Sequence, residues 1–253
     1  MTQSQATNGA DNTLDPEEIE RFSLIADEWW DPLGKFRPLH QLNPVRLSYI
    51  RDEICRHFDK DKRAPSPLQG LKILDIGCGG GLLCEPMTRM GALVTGVDPA
   101  ERTIKAARAH ATEMGLKIDY RVSRAEQLVA EGELFDVVVN MEVIEHVPDV
   151  PAFLATCGEL VQPGGLMLAS TLNRTVKSYG LAIIGAEYIM RWLPAGTHQW
   201  QRFVTPDELK NALLDAGLTD ISQTGMSYNP LTGSWTLGYD LEVNYLASAK
   251  KPA

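Results

Sequence analysis

From Leu71 onward the chain alternates short apolar runs with stretches of helical periodicity. The runs fall at 72–76, 93–97, 118–122, 137–140 and 166–171. Most are nearly continuous in apolar residues, as expected of strands buried on both faces in a parallel sheet covered by helices. Near the other end, Thr205-Pro206-Asp207-Glu208 supplies an N-cap, a proline at N1 and an acid at N3, so a helix starts there. Beyond it the period falls to two, over 220–227 and 241–249, which predicts an antiparallel pair closing the sheet edge. The expected fold class is α/β, with a mostly parallel sheet of seven strands.

Ahead of the sheet, Asp15-Pro16-Glu17-Glu18 repeats the helix-start signal and predicts a helix to about Trp30. A second helix is expected over 44–58. A charged linker with two prolines, 59–70, closes this N-terminal helical extension, 15–70. Residues 71–253 form the expected main domain, with an inserted segment at about 174–204. Residues 1–14 are polar and read as a disordered tail.

A net charge of −9 opposes capture of nucleic acid, whose binding rests on Lys and Arg neutralising phosphates. Cys55, Cys78, Cys84 and Cys157 show no paired spacing, which favours a reducing compartment. The first residues carry neither a basic, apolar signal segment nor the arginines of a transit peptide. The expected location is cytoplasmic.

Chemistry enters at Asp75-Ile76-Gly77-Cys78-Gly79-Gly80-Gly81, a glycine loop between the first strand and its helix. Glycines there let a ligand lie against the backbone. Leu82 stands where a dinucleotide fingerprint needs its third glycine, so a pyrophosphate is disfavoured. Asp98 ends the second strand, the place from which a carboxylate reaches ribose hydroxyls. In this pattern the chain resembles the class I, Rossmann-like methyltransferases. The resemblance implies S-adenosyl-L-methionine as cofactor, with Gly77 and Gly79 near its methionine part and Asp98 on its ribose. After the third strand, Val122-Ser123-Arg124-Ala125-Glu126 departs from the family's usual acid, and no adenine contact is assigned.

After the fourth strand, Glu142, Glu145 and His146 stand at i, i+3 and i+4, which on a helical turn gives one face. Two carboxylates and an imidazole suit a divalent ion. The spacing equally suits packing or loop hydrogen bonds, and without a metal His146 is a candidate general base.

Further segments narrow the resemblance: Trp29-Trp30-Asp31, Phe36-Arg37-Pro38-Leu39-His40, Asn43-Pro44-Val45-Arg46, Met141 to Val147, Ser170-Thr171-Leu172-Asn173-Arg174, Gly185-Ala186-Glu187-Tyr188 and Tyr228-Asn229-Pro230. Together they resemble the O-methyltransferase family of ubiquinone biosynthesis. The resemblance implies methylation of catechol hydroxyls on polyprenylated rings at two stages of that pathway. It also implies a cofactor site of Arg46, Gly77, Asp98 and Met141, and Mg²⁺ at Glu142, Glu145 and His146. Arg46 has its own rationale, because a guanidinium matches the cofactor's carboxylate bidentately. Trp29 and Trp30 read as core before cavity wall, and His40 and His198 as ordinary hydrogen-bonded histidines.

Residues 176–193, as a helix, would be about 27 Å long. Lys177, Gly180, Glu187 and Arg191 gather on one side, and Ala182, Ile183, Ala186, Ile189, Met190 and Leu193 lie away from them. That is the form of an interfacial helix, a lid or an ordinary packed insert. With a polyprenyl substrate it suggests a peripheral position on anionic lipid at the inner face of the membrane, or a place in a ubiquinone-biosynthesis complex. Two rival readings stand beside this one: a methyltransferase for another small phenol or amine, and a non-catalytic, lipid-associated subunit.

Overall fold

The computed structural model describes residues 15–16, 19–20, 26–180, 200–229 and 232–253. The strands are β1 (Lys72–Ile76), β2 (Leu93–Asp98), β3 (Asp119–Val122), β4 (Phe135–Met141), β5 (Val161–Leu172), β6 (Thr219–Asn229), β7 (Ser234–Gly238) and β8 (Asn244–Lys250). The helices are α1 (Arg37–His57), α2 (Cys84–Arg89), α3 (Glu101–Glu113), α4 (Ala125–Ala130), α5 (Val150–Leu160), α6 (Val176–Ser178) and α7 (Pro206–Asp215). One sheet runs β3-β2-β1-β4-β5-β8-β6-β7. β3 through β5 are mutually parallel, and β8 and β7 run antiparallel to their neighbours.

The sheet therefore has eight strands rather than the expected seven. The addition is β7, an edge strand with four of its five residues exposed, so no apolar alternation marked it. The predicted antiparallel pair is β6 and β8, with Gly225 opposite Tyr245.

Two apolar layers cover the sheet. On one face Tyr49, Ile50 and Ile54 of α1, Met87 of α2 and Ile104 of α3 pack on Ile73, Val94 and Val139. On the other, Leu128, Phe153, Leu154, Leu209 and Leu213 pack on Leu74, Val138 and Met167. The N-terminal extension thus shares the sheet's core across the linker. α1 begins about two turns ahead of the expected Pro44, because Pro38 takes the first-turn position and Pro44 is accommodated inside the helix. The expected 15–30 helix is described only in part: Pro16, Ile19 and Glu20 are helical, and Ala26–Glu28 form a 3₁₀ turn. Of the insert, α6 and a 3₁₀ turn at Trp200–Arg202 are described. Residues 181–199, with most of the expected amphipathic helix and His198, lie outside the described residues, as does the expected tail, 1–14.

Candidate active site

The chain leaves β1 for β2 and β3 on one side and returns to β4 and β5 on the other. A crevice at such a reversal opens beyond the carboxyl ends of the strands. Arg46, Gly77, Gly79, Asp98 and Met141 all belong to the elements that meet there.

Gly77 and Cys78 donate their N–H groups to Val97 O at 2.8 and 3.0 Å, which folds the glycine loop over the end of β2. Gly77 and Gly79 have φ of 69° and 53°, a region that L side chains rarely adopt. What crowds the missing Cβ positions is protein: Val143 at Gly77, and the Trp29 ring at Gly79 and Gly80. Asp98 ties the loop from inside. Its Oδ2 accepts from Gly79 N at 3.2 Å and its Oδ1 from Ala100 N at 2.9 Å. Burial pushes the Asp98 carboxyl up to about 6, against the downward pull of those two N–H groups.

Beneath the loop, Cys84 Sγ donates to Asp75 Oδ2 at 3.1 Å. Burial raises Asp75 to about 7, with Cys84 and Arg46 pulling it down. All four cysteines are free and buried.

Arg46 is 3% exposed. Its Nη2 donates to Asn43 Oδ1 at 3.2 Å, while Asn43 Nδ2 donates to Leu82 O at 2.7 Å and docks α1 on the loop. Arg46 Nε is buried without a hydrogen-bond partner among the described residues. Burial lowers its pKa, and Glu142, Asp75 and Glu145 offset this. A buried guanidinium with an idle donor fits a carboxylate. Met141 is buried at the end of β4.

The expected single face of Glu142, Glu145 and His146 is not found. Only Ile144–His146 is helical, as a 3₁₀ turn, and Glu142 sits before it with φ of 58°. Glu142 Oε1 accepts from Ser170 Oγ at 2.6 Å, whereas Glu145, 4% exposed, accepts at Oε2 from Thr171 Oγ1 at 2.7 Å. Ser170 and Thr171 are consecutive in β5, so they point to opposite faces of the sheet and draw the carboxylates apart. Among the described residues no three His, Cys, Asp or Glu side chains form a group able to hold a metal. As placed, these residues do not fit Mg²⁺. His146 is half-buried on the same turn.

Trp29 is core, stacked on Phe36 with centroids 3.8 Å apart, as read from the sequence. His40 Nε2 lies 2.9 Å from Trp29 O, an ordinary structural contact. The sequence reading missed the contacts of this segment with the glycine loop. Trp30 Nε1 donates to Gly80 O across fifty positions, and no local signal announces such a pairing.

A family model described as a methyltransferase domain matches residues 46–223. The chain is 58% identical to the ubiquinone biosynthesis O-methyltransferase of Chelativorans sp. (strain BNC1), covering 95% of each. It is 56% identical to the protein of that name from Brucella anthropi, covering 98% of this chain and all of that one. Among solved structures, the magnesium protoporphyrin IX methyltransferase of Synechocystis PCC 6803 with bound SAH is similar in fold, at a TM-score of 0.63, 20% identity and 93% coverage of each chain. A SAM-dependent methyltransferase of Thermotoga maritima gives 0.63 at 18% identity, covering 93% of this chain and 98% of that one. With the cradle at the strand ends, the family model and these near-full-length relatives in agreement, the chain belongs to the ubiquinone biosynthesis O-methyltransferase family and is an S-adenosylmethionine-dependent methyltransferase.

Proposed function

We propose that the chain methylates catechol hydroxyls of polyprenylated ubiquinone precursors at two stages of the pathway, with Arg46, Gly77, Gly79, Asp98 and Met141 holding the donor. The observation that carries the donor half is the buried Arg46 with its idle Nε–H, set beside the glycine loop. The name shared by the near-full-length relatives supports the acceptor half.

When bound, S-adenosylmethionine supplies a methyl group on a positively charged sulfur. Arg46 anchors the carboxylate, Asp98 accepts from the ribose hydroxyls, and Met141 gives an apolar wall at the end of β4. A phenolic hydroxyl, with a pKa of about 10, is ionised to roughly one part in a thousand at pH 7, a deficit of about 4 kcal/mol. His146 offsets it as general base. It takes the hydroxyl proton on a ring nitrogen as the oxygen–carbon bond forms and the carbon–sulfur bond breaks. No step is routed through Mg²⁺, because Glu142 would first have to leave Ser170, and Glu145 Thr171, before they could share an ion.

The polyprenyl tail belongs in lipid, which supports a peripheral position at the inner face of the membrane. No described helix is long and apolar enough to cross it. Val176, 85% exposed, and the fully exposed Tyr239 give an apolar rim beyond the end of β5, beside Lys177, whose Nζ is already paired with Asp240 Oδ2 at 2.8 Å and Glu242 Oε2 at 2.5 Å.

The test supplies labelled S-adenosylmethionine with a short-chain prenyl catechol, with and without chelator. Label is expected in a ring methoxy group. Equal turnover of a catechol without the prenyl chain would redirect the reading to a soluble phenol. Loss of turnover on chelation, with cofactor affinity intact, would mean that the two carboxylates reorient around an ion.

A further inference from the structure

The outer side of the glycine loop is held by the segment before α1. Trp30 Nε1 donates to Gly80 O at 3.0 Å. The Trp30 ring stacks on His110 of α3, with centroids 3.5 Å apart and planes 7° from parallel. His110 Nδ1 in turn lies 2.6 Å from Oε1 of the fully buried Glu85 in α2, the helix that the loop opens. Trp30 is therefore bolted at its ring face to the two helices flanking β2, and at its N–H to the loop between β1 and α2. On the inner side, the Gly79 N–H is bound to Asp98, the carboxylate read as the ribose acceptor. Adjacent residues of one loop are thus pinned from opposite sides.

We propose that Trp30 is a positioning residue for the cofactor: through Gly80 it sets the path of the glycine loop, and with it the place of Asp98 and the backbone that the donor lies against. This rests on the cofactor reading given above. Trp30 is one residue from Trp29, whose side chain closes over Gly79 and Gly80, so two adjacent side chains of this segment grip the loop.

Trp30→Phe keeps a ring to stack on His110 and removes the N–H. Its affinity for S-adenosylhomocysteine, by calorimetric titration, should fall about fivefold, the effect of one neutral hydrogen bond. The KM for S-adenosylmethionine should rise in step, while kcat and the KM for the prenyl catechol stay within about twofold. Trp30→Ala, if it folds, should lose more of the same affinity. A merely structural role would lower the melting temperature and leave the donor KM of the folded enzyme unchanged, and that result would overturn the proposal. So would equal rises in the KM of both substrates. Asp98→Ala separates the two levels of the argument. If it weakens S-adenosylhomocysteine while Trp30→Phe does not, the positioning role falls and the site stands. If neither variant changes affinity, both fall.

Discussion

At the scale of single residues, Asp98 carries the sharpest consequence. Its carboxyl is raised to about 6 because burial disfavours the charge more than two N–H donors restore it. Ribose hydroxyls need the carboxylate form as acceptor, so protonation competes with cofactor binding. Affinity for S-adenosylhomocysteine should weaken about tenfold from pH 7 to pH 5, since a group of pKa 6 is then largely protonated. Asp98→Asn should bind weakly with no such slope. A flat wild-type profile would remove Asp98 from the ribose position. Glu142 illustrates the limit of reading by spacing. The i, i+3, i+4 argument presupposes helical backbone from the first residue, but Glu142 takes a left-handed conformation whose N–H bonds Ser170 O at 3.2 Å and Ser170 Oγ at 3.1 Å. Sequence spacing records neither that turn nor the partner strand. The positive-φ turn of the loop glycines beside Asp98 was legible because it depends on one strand and one turn.

Among the elements, strands with an apolar or alternating run declared themselves, and the exposed β7 did not. β5 begins at Val161, ahead of the expected 166, and its Gln162–Gly164 stretch is only partly buried or exposed, so no apolar run marked it. The start of α1 was misplaced because two prolines competed for the first-turn position. The element with most to test is the glycine loop, where packing by Trp29 imposes its own requirement on sequence. A Cβ at Gly80 would stand 2.5 Å from Trp29 Cβ. Gly80→Ala should destabilise by about 1–3 kcal/mol, as overpacking does. Thermal or urea unfolding of Gly80→Ala, Trp29→Gly and the double variant should show strong non-additivity, because Trp29→Gly removes both the Cβ and the indole that the added methyl would meet. Simple additivity would mean that the loop yields elsewhere.

For the whole molecule, a net charge of −9 opposes anionic lipid, so any membrane binding must come from a local surface. If the apolar rim of Val176 and Tyr239 lies in the interface, the protein should co-sediment with liposomes, and anionic lipid should add nothing, because Lys177 is already paired with Asp240 and Glu242. Val176→Asp with Tyr239→Asp should release it while the melting temperature and cofactor affinity stay near wild type. Failure of the wild-type protein to bind would remove the peripheral reading. The strand order has a consequence of a different kind, in time. β8, which follows the other seven described strands in the chain, lies between β5 and β6 and pairs with both. Until it emerges from the ribosome, the parallel half of the sheet ends on the bare edge of β5, and β6 has only β7 beside it. A nascent chain that already carries all the proposed cofactor residues thus still presents open strand edges. Such edges template association between chains. The proposed site is present in sequence well before the sheet that supports it can close, and in the interval between the two the open edges are exposed to other chains.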